Sequence, residues 1–530
     1  MDVAVVGSGL AGVFAAHALS ARGLKVTIID VGEMLDTRRL AILAKLRELA
    51  PEAWSASDRD LICRNPTTRG HELPKKMHFG SDYIYAAERP FARIVAHTAG
   101  RPPYPTFARG GFSNIWGAAV LPPDACDMAD WPISRSAMEP YFRKVAALLP
   151  LCGEGGTLPR FFPAYKDSLG YVDPGPQGTA LLADLARAEQ QLAAENVVYG
   201  PARLAIHTTA KEGILPCNGC GQCFTGCLRG SIFSTLPMLD EMILRGQVAY
   251  RSGLFVRSVR EDPDKVTVEA LDLTEGVREL TFRAAFIAAG PLNTTAILAR
   301  SASLYDRRIV LKESQKFVLP ALRRHASITP MDEASITLAS AFIEAKILEL
   351  SDHWVHVQMI PINEMIVTGS GLPGLTSTLA RRVLAPLWRR VILGWCGMHS
   401  DHSSSLELQL LHQPGESDVI AIRLAVSEKA RRSAYLAARR LSKMLSKAGI
   451  YFQPRMMRFS NPGSGTHCGS SFPMRIRPSD QFDTDILGRP FGWRRVHAVD
   501  ASVLPSIPGT TLAFSVMANS VRIAEEAQIV

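Results

Sequence analysis

The chain has 530 residues, 47% of them hydrophobic, and a formal net charge of +9. That length exceeds what one hydrophobic core usually serves, so two domains are expected, and the composition is that of an ordinary enzyme rather than a fibrous or disordered chain. The charge is modest and spread over scattered arginines, which argues for a solvated basic surface and against a nucleic-acid partner.

No run of about 18 apolar residues marks a membrane span, and the sequence opens on a strand rather than a basic leader, so a cytoplasmic location is expected. Of nine cysteines, four crowd between Cys217 and Cys227, a distribution that does not read as a disulfide framework.

The first thirty residues carry the strongest local signal. Val3 to Val6 is an apolar run of strand length, followed at once by Gly7-Ser8-Gly9-Leu10-Ala11-Gly12, an Ala-rich helical stretch to Arg22, and a second strand from Lys25 to Ile29 closed by Asp30. This is a dinucleotide-binding β-α-β unit in full context. Gly7 permits the tight turn, Gly9 lets the backbone approach a pyrophosphate at the helix N-terminus, and Gly12 lets helix and strand pack closely. Asp30 stands where a ribose hydroxyl would be held. The stretch alone leaves FAD and NAD both open.

Further along, Asp36 to Ala50 is a Leu- and Arg-rich helical pattern, and the Pro- and Gly-punctuated stretch from Pro51 to Pro105 reads as irregular, a candidate lid. Gly110-Gly111 permits close backbone approach to a flat cofactor, with Ser113, Asn114 and Trp116 beside it. Helices are expected from Met138 to about Leu149 and from Gly178 to Glu195. Cys217, Cys220, Cys223 and Cys227 follow the spacing Cys-x2-Cys-x2-Cys-x3-Cys, a candidate iron–sulfur ligand run; a zinc site and a tight loop of free thiols are the alternatives.

Val248 to Val259, Lys265 to Leu273 and Ala284 to Ala289 read as strands, the last ending at Gly290 before a helix from Asn293 to Arg300. Trp354 to Ile360, Ser405 to Leu411 and Asp418 to Leu424 alternate like half-exposed antiparallel strands, the last two joined through Gln413 to Glu416. Ser427 caps a basic helix ending at Gly449. Leu379 to Trp395 sets Val383, Leu384, Leu387, Trp388, Val391 and Trp395 broadly on one helical face opposite Arg382 and Arg389; Pro386 would interrupt such a helix, so an ordinary core-facing segment is the favoured reading and a peripheral membrane contact the alternative.

Two C-terminal segments, Thr466-His467-Cys468-Gly469-Ser470-Ser471-Phe472-Pro473-Met474 and Val496 to Thr511, resemble the paired terminal motifs of the glucose-methanol-choline (GMC) oxidoreductases. The initial glycine fingerprint, the loop Gly110 to Gly117, Trp131-Pro132 and the junction Ala288 to Thr294 fall where that family has them. The resemblance implies an α/β fold: a Rossmann-like FAD-binding domain (1–308 and 454–530, with substrate-side elements around 131–200) and an inserted α+β substrate domain on an antiparallel sheet (309–453).

It further implies FAD held by the first motif including Leu10 and Ala11, by Gly111, Ser113, Asn114 and Trp116, by Val256 near the adenine, and by Gly290 and Asp500. His467 falls on the family's active-site histidine and Thr511 on its second active-site position, commonly His or Asn. The implied reaction is oxidation of an alcohol, of the sugar, glycoside or natural-product class, by hydride transfer to flavin N5 with His467 as base. Electrons would pass to oxygen, a quinone or a redox protein. The alternatives are a flavin-binding protein without this activity and an oxygen-using alcohol oxidase.

Overall fold

The structure is a computed structural model and describes residues 3–64, 76–85, 88–96, 104–327, 335–363, 383–384, 386–413 and 418–529. Val3–Val6 and Val26–Ile29 are buried at every position, as strands covered on both faces must be. They form the middle of a five-stranded parallel sheet in the order Val496–Ala498, Ala284–Ile287, Val3–Val6, Val26–Ile29, Val248–Arg251. The helix Leu10–Ala21, buried over most of its length and rich in alanine, packs against the helix Ala513–Glu526.

The expected strand Val248 to Val259 is two strands. Val248–Arg251 joins the parallel sheet, the chain turns at Gly253 (φ 77°), and Leu254–Glu261 starts a three-stranded antiparallel meander with Val266–Asp272 and Gly276–Phe282. The expected helix Gly178 to Glu195 is likewise broken, at Ala188, into Gly175–Arg187 and Glu189–Ala194. The stretch from Pro51 to Pro105 is more regular than its punctuation implied. It contains the helix Ala56–Cys63 and the strand Ala92–Ala96, while 65–75, 86–87 and 97–103 lie outside the described residues.

A seven-stranded sheet runs in the order Ile450–Phe452, Lys316–Arg323, Val391–Gly397, Trp354–Pro361, Ala341–Lys346, Val197–Pro201, with Arg458–Phe459 also pairing onto Lys316–Arg323. One face packs on the helix Glu428–Leu445 through Ala434, Ala437, Ala438 and Leu441, forming a second core. That helix is capped by Ser427, whose hydroxyl accepts from the Ala430 N–H, and Gly449 follows it in the left-handed conformation, as expected. The other face looks toward the nucleotide-binding unit. A six-stranded sheet completes the molecule, with Ser405–Leu411 and Val419–Ala425 at its centre; the turn between them lies partly outside the described residues.

The single helix read over Leu379 to Trp395, with its membrane-facing alternative, is corrected. Val391–Gly397 is a strand, because side chains at alternate positions meet different layers: Ile392 and Cys396 enter the second core, whereas Trp395 lines the central cavity. Residues 379–382 and 385, including Arg382, lie outside the described residues. Among the described residues no helix is long and apolar enough to cross a membrane.

Candidate active site

The parallel sheet ends on two glycine turns that open into one cavity of about 430 Å³. At the first turn a methyl added to Gly7 would meet Ala288 O at 2.5 Å, and one added to Gly12 would meet Gly7 O at 1.9 Å. These two glycines are therefore packing positions. Gly9 differs: an added methyl would meet no protein atom within 4 Å, and it lines the cavity beside Leu10 and Ala11. Gly9 is also the N-cap of Leu10–Ala21 with no side-chain cap, so first-turn N–H groups are left for a ligand. At the second turn Gly290 caps Pro291–Ser301 and has similar open space.

Asp30 ends the second strand and lines the cavity. Its carboxylate accepts a hydrogen bond from Ser8 Oγ, which itself accepts from the Gly110 N–H at 2.8 Å, and Tyr250 lies at 3.4 Å. Burial pushes Asp30 up to about 6 despite the Ser8 bond. Val256, Gly111, Ser113, Trp116 and Asp500 line the same cavity. Asp500 Oδ2 accepts from Thr294 Oγ1 at 2.5 Å, which ties the C-terminal motif to the second glycine turn. Trp131 Nε1 donates to Ser506 Oγ at 2.9 Å, so the Trp131-Pro132 segment is joined to that motif too. Asn114 does not line the cavity: its amide donates to Arg109 O and Gly111 O and shapes the loop from behind.

His467 is half-buried, lines the cavity, and has a buried Nδ1 with no hydrogen-bond partner among the described residues. Burial holds its pKa well below the ordinary histidine range, with help from nearby Lys316 and His356, so the imidazole is neutral near pH 7. Thr511 also lines the cavity, but its hydroxyl accepts from Leu121 N at 2.7 Å and donates to Leu121 O at 3.0 Å. It is committed to the backbone and has no proton left to donate to a substrate.

Sequence reasoning missed the wall opposite the glycine turns. Lys316, Gln358, Ile360 and Trp395 all line the cavity from the seven-stranded sheet. Strand register sets Glu344 opposite His356, His356 opposite Gly397, and Gly397 opposite Lys316, one row across four adjacent strands. Gly397 leaves room in this row, since a methyl there would lie 2.5 Å from Lys316 Nζ. Glu344 and His356 are bonded to each other, leaving Glu344 Oε2 and His356 Nε2 buried without partners among the described residues. A lone ionisable residue inside each of the apolar runs Phe342 to Ala345 and Trp354 to Val357 was the available signal; Lys316, within the polar run Lys312 to Lys316, offered none.

The four clustered cysteines lie in one loop, half-buried, with Gly219, Gly221 and Gly226 at positive φ. Burial pushes the Cys217 thiol up to about 11 and raises Cys220 and Cys223, an effect that the nearby backbone of Gly219, Gln222 and Thr337 opposes. Thiolates on one zinc ion at about 2.3 Å would stand roughly 4 Å apart. No three of these sulfurs lie within 4.8 Å of one another, so the zinc alternative does not fit.

Among the described residues, His353, His399 and Asp401 are the one group whose potential ligand atoms do approach that closely. The two imidazoles stack at 3.7 Å and 12°, so their lone pairs run parallel instead of converging on an ion. Against the effect of burial, Asp127 and Asp401 raise His353 to about 9, and the group is an ion-pair cluster.

A family model described as an FAD binding domain matches residues 2–37. The structure is similar to pyridoxine 4-oxidase from Mesorbium loti, at 15% identity and a TM-score of 0.59 over 99% of this chain and 98% of that one. It is also similar to a fungal aryl-alcohol oxidase, at 13% identity and a TM-score of 0.55 over 99% and 98% of the two chains. No curated protein matches the sequence. The chain thus shares the fold of these two oxidases, an α/β architecture of the kind that its terminal motifs implied, and its first residues match an FAD binding domain.

Proposed function

We propose that this protein binds FAD and oxidises an alcohol to a carbonyl, with His467 as the base. The observation that carries the reading is the meeting, in one cavity, of an uncapped helix N-terminus, the Asp30 carboxylate and a neutral, unpartnered histidine. FAD fits this lining because Gly9 and Gly290 leave space that no protein atom fills and N–H groups that no side chain caps. Gly9, Leu10 and Ala11 would hold the pyrophosphate, Asp30 the ribose, and Gly111, Ser113, Trp116, Gly290 and Asp500 the flavin. When bound, FAD supplies the acceptor for the two electrons that leave the alcohol.

The chain's own part is proton chemistry and orientation. Neutral His467 can take the hydroxyl proton, and the wall formed by Ile360 and Trp395 sets an apolar face against the polar points Gln358 and Lys316. Such a wall suits a flat natural-product alcohol better than a bare sugar, in keeping with the names of the two structural neighbours. Oxygen, a quinone or a redox protein would receive the electrons.

The sequence spacing favours a second element, an iron–sulfur cluster on Cys217, Cys220, Cys223 and Cys227 serving a one-electron acceptor. A multi-atom cluster holds its cysteines farther apart than a single ion does. The test of the main reading is anaerobic bleaching of the flavin absorbance by a panel of alcohols, followed by a peroxide assay on admission of oxygen. A flavin that binds but is bleached by none of them refutes the catalytic reading. Peroxide distinguishes an oxidase from a dehydrogenase.

A further inference from the structure

Lys316 is buried at the start of its strand, lines the cavity, and among the described residues its ammonium has one hydrogen-bond partner, Ser314 Oγ at 3.0 Å. An ammonium carries three donors, and buried donors are seldom left without acceptors. The groups whose charge it feels are Cys396, Glu344 and Glu313, and His467 and His356 feel it in turn. None of these is a hydrogen-bond partner of Nζ among the described residues; Glu313 spends one oxygen on the Gly463 N–H and Glu344 one on His356. His467 is anchored nearby, since the Ser314 N–H donates to His467 O at 2.9 Å. Two cavity-lining side chains therefore face the same space with unspent hydrogen-bonding capacity, one a cation and one a neutral base. Thr511 has its hydroxyl committed to Leu121 and contributes nothing there.

We propose that Lys316 is a further catalytic residue: its ammonium donates to the substrate oxygen from which His467 removes the proton, supplying the positive partner for the oxyanion. The inference rests on the proposed alcohol chemistry. It takes the cation from the seven-stranded sheet and the base from the first C-terminal motif, instead of both groups from the C-terminal motifs. A fixed ammonium in a low-dielectric cavity lowers the cost of ionising the hydroxyl and costs no reorganisation. Its proton is not transferred; the hydroxyl proton goes to His467. Burial raises the neighbouring Glu313 (to about 8) and Glu344 carboxyls toward their neutral forms, which leaves the ammonium free for a substrate oxyanion, and Gly397 leaves room for Nζ in its row.

The experiment compares FAD-loaded wild type with Lys316→Met and Lys316→Arg in two assays. Benzoate, a carboxylate oxyanion, is titrated while the visible flavin spectrum is followed, and anaerobic flavin reduction is timed with the alcohol that bleaches wild type best. Lys316→Met is expected to keep its flavin, bind benzoate at least about 10-fold more weakly and reduce its flavin about 10²-fold more slowly, the scale of a lost oxyanion donor. Lys316→Arg should restore benzoate binding.

Burial pulls Lys316 down to about 8, so benzoate binding by wild type should weaken as pH rises through that value, and this limb should be missing in Lys316→Met. A purely structural lysine would not move that limb. Benzoate affinity within twofold of wild type in Lys316→Met overturns the proposal, whether or not alcohols are oxidised. If no alcohol bleaches wild type, the alcohol reading fails by itself, and the benzoate result still decides whether Lys316 is the anion-binding cation of this cavity.

Discussion

Gly9 and Gly12 are three residues apart in one motif and answer to different neighbours, so alanine at each should fail in a different way. Gly9 has φ −69° and ψ −172°, a conformation open to any L-residue, and its methyl would touch no protein atom within 4 Å. Gly9→Ala should therefore change the stability of the FAD-free protein by less than about 0.5 kcal/mol. The methyl would instead occupy the space needed for close approach to the pyrophosphate. Losing one charge-assisted N–H contact costs about 2 kcal/mol, roughly 30-fold in affinity.

Gly12→Ala drives a methyl to 1.9 Å from Gly7 O and should cost about 1–3 kcal/mol of apoprotein stability through overpacking. The assay is thermal melting of each apoprotein with and without added FAD, together with a fluorescence titration. Gly9→Ala should melt like wild type without FAD and lose most of the FAD-induced shift, because ligand stabilisation follows the logarithm of the affinity. Wild-type FAD affinity in Gly9→Ala, or apoprotein destabilisation as large as that of Gly12→Ala, would refute the division of labour between the two glycines.

His467→Ala should retain FAD and slow anaerobic flavin reduction by about 10²-fold, read by stopped-flow absorbance; reduction at the wild-type rate removes the base assignment. Asp30 has a folded-state pKa of about 6, above the ordinary 3.8, so the fold favours its protonated form. Its contribution to apoprotein stability is present below about pH 4, declines as pH rises to about 6, and is lost above that, a span of roughly 3 kcal/mol. Chemical denaturation of wild type minus Asp30→Asn across pH 4 to 7 should recover that slope, and equal slopes would contradict it. Anaerobically purified protein should contain iron and acid-labile sulfide in stoichiometric amounts, both lost in Cys220→Ser; flavin alone, with neither, assigns the thiol loop a packing role.

What the sequence disclosed follows the range of the forces involved. The β-α-β unit was legible because strand, turn, helix and acid are successive and each glycine acts within a few residues. Trp354–Pro361 and Ser405–Leu411 were legible because one side of each is apolar and alternation survives. Gly276–Phe282 was not, since its outer positions Arg278 and Glu279 face water and hide the pattern. Lys316 reads as part of a solvated turn; its burial is conferred by Val391–Gly397 and the missing side chain of Gly397, partners remote in sequence. Thr511 was located by motif position, yet its partner Leu121 lies 390 residues away and decides what its hydroxyl can do. Trp395 fitted a helical face on paper, and only pairing with Val318 and Gln358 shows the period to be two.

The order of strands in the parallel sheet has a bearing on how the protein is made. Val496–Ala498 is an edge strand laid against Ala284–Ile287, which in turn lies against Val3–Val6, and Asp500 is reached just past that edge. A nascent chain can form the first glycine turn early, but the part of the cavity lined by Asp500 and Thr511 cannot exist until those residues have left the ribosome. Pairings this distant in sequence form slowly, after local helices and hairpins. Under the proposed function cofactor capture is accordingly a late event: a prematurely terminated product displays the fingerprint but lacks His467, Asp500 and the rest of the C-terminal lining.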